Sequence, residues 1–188
     1  MGSGEVLAVD DRALELAVEL DADPPPKLPL TLVLALPRPK VLRRVLQAMT
    51  SLGAAQIYLI HAYRVEKSYW QSPFLEPPAL EQQLRLGLEQ AVDTRLPQLV
   101  LRRRFRPFVE DELPGLAETG SALVADPRGE HPCPRGLEGE VTLAVGPEGG
   151  FIPFELELLE RAGLQPVHLG ERILRVETAL PTLLGRIF

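Results

Sequence analysis

The sequence predicts an α/β fold with a mostly parallel sheet and helices on both of its faces. Three observations carry this. From about residue 28 onward, apolar runs of strand length alternate with stretches of helical periodicity. The run Thr31-Leu32-Val33-Leu34-Ala35-Leu36 is continuous rather than alternating, as in a buried strand. Near the C-terminus, Val141-Thr142-Leu143-Ala144-Val145 ends in the loop Gly146-Pro147-Glu148-Gly149-Gly150-Phe151. A strand, a Pro/Gly loop, a helix, a strand and a second glycine loop form the order in which α/β proteins build a small-molecule pocket.

Taken in order, Glu5-Val6-Leu7-Ala8-Val9 and residues 13–20 read as short strands around an Asp10-Asp11 turn. Two strands bury no core of their own, so this piece looks like the tail of a β-domain. Asp21-Ala22-Asp23-Pro24-Pro25-Pro26 is a stiff linker. It divides the chain into an N-terminal segment, 1–27, and a body, 28–188. After the 31–36 strand, Pro37-Arg38-Pro39-Lys40 leads into a helix with Val41, Leu42, Val45, Leu46, Met49 and Leu52 on one stripe. Gly53 stops it, and Gln56 to Ile60 is the next strand, giving β-α-β with parallel strands. Residues 68–76 read as irregular, with Tyr69, Trp70 and Phe74 packing locally. A helix from Pro78 to about Val92 carries Leu80, Leu84, Leu88 and Ala91 on one face. The remaining strands fall at Gln98–Leu101, Ser121–Ala125, 141–145 and Pro166–Leu169. The remaining helices fall at Val109–Ala117, Pro153–Ala162 and Thr178–Ile187, and residues 127–140 form a long Pro/Gly-rich loop. There is no internal repeat.

At 188 residues the chain fits one domain, or one domain and a small appendage, and 45% apolar residues supply a core. No apolar run approaches the roughly 18 residues of a membrane span. The start has neither a basic nor an apolar signal region, so a cytoplasmic protein is expected. Cys133 is the single cysteine, which excludes an intrachain disulfide and any zinc site of several thiolates; in its proline-flanked loop it reads as incidental. His61, His131 and His168 are scattered, and no metal is expected. A net charge of −6 argues against general electrostatic capture of nucleic acid. Local charge differs: Arg102-Arg103-Arg104-Phe105-Arg106 is a dense basic cluster, joined by Arg43-Arg44 and Arg172/Arg175. The acids Glu110-Asp111-Glu112 and Glu155, Glu157 and Glu160 cluster apart in sequence. A solvated face and a phosphate-contacting patch both remain open for this cluster.

Alone, the first glycine loop is equally a tight turn before a helix opened by Pro153, Glu155 and Glu157. The second segment, Leu169-Gly170-Glu171-Arg172-Ile173-Leu174-Arg175-Val176-Glu177-Thr178-Ala179, adds a mixture that structural loops rarely need: two arginines flanking apolar residues, then an acid and a hydroxyl.

The pairing of residues 143–151 with 169–179 resembles the ribosomal RNA (uracil-N3-)methyltransferases, members of the SPOUT class of trefoil-knotted, AdoMet-dependent enzymes. Pro37-Arg38-Pro39-Lys40, Tyr63-Arg64-Val65 and Leu88-Glu89-Gln90 also resemble segments of that family. The resemblance covers about residues 28–188. It implies a C-terminal trefoil knot and S-adenosylmethionine (AdoMet) held between the two glycine loops and the loop after strand 121–125. Backbone groups of Leu169, Gly170, Arg172, Ile173 and Leu174 would read the adenine. Val145, Gly146, Glu148, Gly149 and Gly150 would form the other wall. It further implies a homodimer whose pockets are completed by the partner chain, with small-subunit ribosomal RNA or the assembled subunit as substrate. The family carries an N-terminal PUA-like β-barrel; here about 25 residues precede the body, a short remnant of one. Two further departures are Ser51, where the family's first helix ends on an acid, and Arg95, which stands five residues past Gln90.

Methyl transfer from a sulfonium is an in-line displacement, so the acceptor must be held close and collinear. Uracil N3 is a poor nucleophile until its proton leaves, and a cation beside the developing anion promotes that loss. Arg64 and Arg175 are the candidates for this, or for gripping a phosphate. Glu177 accepts a proton or orients an arginine, or else simply complements the N-terminus of the last helix. Thr178 reads as that helix's N-cap. Alternative readings are a truncated paralogue that binds AdoMet or RNA without catalysis, and a SPOUT enzyme acting on another rRNA or tRNA position.

Overall fold

The computed structural model describes residues 2–188. At the N-terminus, β1 (Ser3–Val9) and β2 (Leu14–Glu19) form an antiparallel hairpin. Asp10 shapes its turn by accepting the amide N–H groups of Arg12 and Ala13 at 2.7 and 2.8 Å. A register shift between Val6 and Ala8 sets Val6 opposite Leu16 and Val9 opposite Leu14. Because side chains alternate along a strand, Val6, Val9, Leu14, Leu16 and Val18 share one face, and Glu5, Glu15 and Glu19 the other. Both faces are exposed.

The body is built on a seven-stranded sheet. Its strands are β3 (Leu28–Ala35), β4 (Ala54–Ile60), β5 (Gln98–Arg102), β6 (Ser121–Ala125), β7 (His131–Pro132), β8 (Val141–Val145) and β9 (Gln165–His168). The spatial order is β5-β4-β3-β8-β6-β9-β7, and every neighbouring pair is parallel. Residues 32–36 are all buried; since successive side chains point to opposite faces, both faces of β3 are covered. The first three strands step outward in one direction, and β8 then inserts on the other side of β3. That reversal opens a crevice at the carboxyl ends of the strands, where ligands bind in open α/β sheets.

Helix α1 (Pro39–Ser51) starts at a proline and buries Leu42, Val45, Leu46 and Met49. Gly53, at φ 84°, takes the left-handed conformation after its end. Helix α2 (Pro77–Ala91) packs on α1 through Gly87. It ends on Val92 in the left-handed region, φ 53°. Asp93 locks this end: its buried carboxylate accepts Lys27 Nζ at 2.7 Å and the amides of Thr94 and Arg95 at 2.6 and 3.0 Å. Burial works against this carboxylate, but the Lys27 and amide hydrogen bonds hold its pKa below the ordinary value.

Several local expectations are corrected. Residues 67–71 and 73–75 form 3₁₀ turns rather than irregular chain, anchored by Trp70, whose Nε1 donates to His61 Nδ1 at 2.9 Å. The helix expected at 109–117 begins four residues earlier and comes in pieces: α3 (Phe105–Pro107), a π turn (Phe108–Glu112) and α4 (Leu113–Ala117). Pro114 has no N–H to donate and its ring crowds the carbonyl four residues back, which favours the wider turn before it. The 127–140 loop contains β7, and it binds the end of the last helix, α6 (Val176–Ile187). The amides of Gly136 and Leu137 donate to the carbonyls of Arg186 and Ile187, and Arg186 Nε donates to Cys133 O. Cys133 is therefore buried rather than sitting in a loose loop. Helix α6 starts at Val176 with Arg175 as its N-cap, so Thr178 lies inside the first turn. The acids Glu110 and Glu112 do not stand apart from the arginine cluster in space: they pair with Arg106 and Arg102, each at 2.7 Å.

Candidate active site

The carboxyl ends of β3, β4, β6, β8 and β9 surround a cavity of about 720 Å³, within the range of small-molecule sites. The first wall is the loop after β8. A β-carbon on Gly146 would stand 3.0 Å from Phe151 N and 3.2 Å from Gly150 Cα, so a side chain there would push the turn's backbone apart by a few tenths of an ångström. Gly150, at φ 73°, returns its amide to Pro147 O at 2.7 Å. Buried Phe151 anchors the far end, and helix α5 (Pro153–Arg161) follows.

Buried Glu155, third residue of α5, binds two segments at once. Its Oε2 accepts Ile152 N at 3.0 Å, the acidic half of a capping box. Its Oε1 accepts Tyr63 N at 2.7 Å, from the loop after β4. The next residue, Arg64, lies against Gly149 and donates from Nη1 to Gly149 O. Arg38, after β3, reaches Glu148 Oε1 through its amide at 3.3 Å and its Nε at 3.2 Å. Two arginines on neighbouring strand ends thus hold the loop after β8.

The second wall follows β9. His168 Nδ1 accepts Gly170 N at 3.0 Å, and Gly170 has φ 115°. Residues 171–175 then cross the cavity mouth without regular structure, with Arg172, Ile173 and Arg175 exposed. Arg175 turns the chain into α6, its carbonyl accepting the amides of Thr178 and Ala179 at 2.9 and 2.7 Å. Glu177 stands in the first turn of α6, half-buried, where a carboxylate complements the helix dipole.

The third wall is the loop after β6. Asp126 is buried and accepts three hydrogen bonds from Arg128: the amide at 2.8 Å, Nε at 3.0 Å and Nη2 at 2.8 Å. Burial alone would raise this carboxyl; the Arg128 hydrogen bonds and charge overcome it and hold the pKa below the ordinary value. Arg128 Nη2 also contacts Phe151 O at 3.4 Å, joining this loop to the one after β8.

All thirteen residues singled out from the sequence line this cavity: Arg64, Arg175 and Glu177, Val145, Gly146, Glu148, Gly149 and Gly150, and Leu169, Gly170, Arg172, Ile173 and Leu174. Arg38, Asp126 and Arg128 line it too; the resemblance marks the loop of Arg38 and places the loop after strand 121–125 at the site, but it assigns these three residues no site role. An acid-proline-base triplet directly after a buried strand was the available signal for the last two. The arginine cluster lies outside the cavity lining. Arg103 stacks over Trp70 at 5.4 Å, and Arg104 is exposed. Among the described residues no group of His, Cys, Asp and Glu could hold a metal ion. The glycine-walled cradle, with a few polar groups around apolar lining, fits a nucleoside-sized ligand such as AdoMet.

Residues 24–188 match the profile of the RNA methyltransferase domain family. The chain is similar to ribosomal RNA small subunit methyltransferase E of Treponema pallidum, at 32% identity over 183 residues, covering 95% of this chain and 69% of that one. The corresponding protein of Synechocystis is 32% identical over 170 residues, covering 85% of this chain and 53% of its own. The chain thus spans about half to two-thirds of these curated relatives. In fold it is similar to a ribosomal RNA small subunit methyltransferase E from Neisseria gonorrhoeae bound to S-adenosyl methionine, with TM-score 0.73, 22% identity, and 96% of this chain and 75% of that chain covered.

Proposed function

The chain belongs to the RNA methyltransferase domain family, and from that membership we propose that it is an AdoMet-dependent methyltransferase acting on N3 of a uridine in small-subunit ribosomal RNA. The observation that supports this most is the convergence of three loops on one glycine-walled cavity at the sheet's carboxyl edge. Bound there, AdoMet supplies an electrophilic methyl group. Gly146, Gly149 and Gly150 let the backbone close on it, Val145 and Glu148 complete that wall, and the backbone from Leu169 to Leu174 reads its adenine. Arg64 and Arg175 line the cavity and offer positive charge to the imide anion that forms as N3 loses its proton, or to a phosphate of the RNA. Glu177 receives that proton or orients Arg175.

The same reading divides the chain into an N-terminal PUA-like β segment, 1–27, and a SPOUT domain, 28–188, with a C-terminal trefoil knot. The hydrogen bonds between residues 133–137 and the end of α6 support a threaded C-terminus. Seven acids and one arginine, Arg12, precede Pro24, so the N-terminal segment accounts for the whole net charge of −6. The RNA therefore meets the body rather than the hairpin. The enzyme works as a homodimer, needs no metal and acts in the cytoplasm. No helix among the described residues is long and apolar enough to cross a membrane.

The test is nucleoside analysis of small subunits lacking the modification after incubation with the chain and labelled AdoMet. Label in N3-methyluridine is the expected result. Label in another nucleoside would move the activity to another position, and none at all would leave a binding protein.

A further inference from the structure

Tyr63 is the most exposed aromatic residue among those described, at 77%, yet its backbone is held firmly. The flanking Ala62 and Val65 are buried, and the Val65 amide closes a turn on Ala62 O at 2.9 Å. The Tyr63 amide is fixed by Glu155, itself only 3% exposed. A single exposed aromatic ring is unremarkable on a protein surface. A ring pinned through a buried carboxylate, one residue from the cavity wall, is a different arrangement. Arg64, the next residue, contacts Gly149 and lines the cavity, so Tyr63 is one residue removed from the lining, and Ile173, also a lining residue, is 82% exposed.

N3 lies on the Watson–Crick edge of uracil, so the acceptor base must be unpaired when the methyl is transferred. Single-stranded RNA is held by stacking its bases on exposed aromatic faces, with arginines on the neighbouring phosphates. We propose that Tyr63 is the stacking platform for the nucleobase flanking the target uridine, with Arg64 on the adjoining phosphate. Tyr63 is a positioning residue here: it touches neither the methyl donor nor N3, but keeps the target strand open at the cavity mouth. This role rests on the reading of the cavity as an RNA methyltransferase site.

The full chain, saturated with AdoMet, is titrated with a fluorescent oligouridylate at several salt concentrations. Stacking on one base contributes about ten- to hundredfold in affinity, so Tyr63→Ala weakens binding by that factor without changing the salt slope. Tyr63→Phe keeps the affinity, because the ring face is retained. Arg64→Ala instead lowers the slope by about one unit, as expected for a lost phosphate contact. The AdoMet affinity of Tyr63→Ala matches the parent, which shows that the cavity is intact. Parental RNA affinity in Tyr63→Ala would overturn the platform and leave the methyltransferase reading standing. A change of oligomeric state in Tyr63→Ala by light scattering would place the ring in a contact between subunits instead. A parent chain that binds no RNA would remove the underlying reading and the platform with it.

Discussion

Gly149 and Gly150 are neighbours, yet the structure assigns them opposite sensitivities. At Gly149 the backbone lies outside the left-handed region, so a side chain brings no conformational strain there. A β-carbon would meet Arg64 Cδ at 2.9 Å, with Arg64 Cβ and Cγ at 3.7 and 3.8 Å. The obstacle is an exposed, flexible side chain that lines the same cavity. Gly149→Val therefore displaces Arg64 and narrows the cavity while changing folding stability by about 0.5 kcal/mol or less. AdoMet affinity should fall at least tenfold, about 1.4 kcal/mol. At Gly150 nothing lies within 4 Å of a β-carbon, but φ is 73°. Gly150→Ala then costs about 1–2 kcal/mol of stability through left-handed strain. With a slope of about 2 kcal/mol per molar, the urea midpoint drops by about 0.5–1 M. The assay is a urea titration and an AdoMet titration on each variant. A Gly149→Val chain that binds AdoMet as tightly as the parent would refute the placement of this loop against the cofactor. An unchanged midpoint in Gly150→Ala would refute the strain argument.

Gly87→Ala tests the α1–α2 contact, because its β-carbon would stand 2.6 Å from Gln47 O and 2.7 Å from Thr50 Cβ. The helix-propensity gain of about 1 kcal/mol is smaller than the overpacking cost of up to about 3 kcal/mol, so the urea midpoint falls; a rise would contradict the packing. Asp93 and Asp126 have folded pKa values below the ordinary 3.8, so their contributions are complete above that value and are lost as the pH falls through the folded pKa. The urea midpoint should decline on acidification below about pH 4. Asp93→Asn should flatten that decline, and an acid limb parallel to the parent's would count against the Lys27–Asp93 contact. The Cys133 thiol, buried and pushed up in pKa by that burial, should react with thiol reagents only on unfolding; rapid labelling of the native chain would contradict its placement. Arg64→Ala should leave AdoMet affinity intact and reduce methyl transfer; loss of AdoMet binding would make Arg64 part of the cofactor site.

The elements that sequence reasoning located best are those whose signal is local. β3 and α1 show a continuous apolar run and then a 3.6-residue stripe, and the loop after β8 is marked by three glycines, of which Gly150 takes a left-handed φ and Gly146 a close backbone approach. What escaped depends on distant partners. The two-residue β7 has no pattern of its own and exists because residues 131–132 run beside β9. The pairing of Glu112 with Arg102 arises as the chain leaves β5 into the π turn, whereas that of Glu110 with Arg106 is a local pair four residues apart whose helical spacing was legible. Arg38, Asp126 and Arg128 are ordinary loop residues until the insertion of β8 between β3 and β6 carries their strand ends to one cavity. Thr178 looked like a cap by residue type, but Arg175 is already extended and its carbonyl opens the helix.

The central claim is that the cavity between residues 145–150, 126–128 and 169–177 takes AdoMet in this chain. Isothermal titration of the 188-residue protein with AdoMet tests it most directly. Saturable binding that Gly149→Val abolishes is the expected result. A folded parent chain that releases no heat of binding and is not stabilised against urea by AdoMet would contradict the claim.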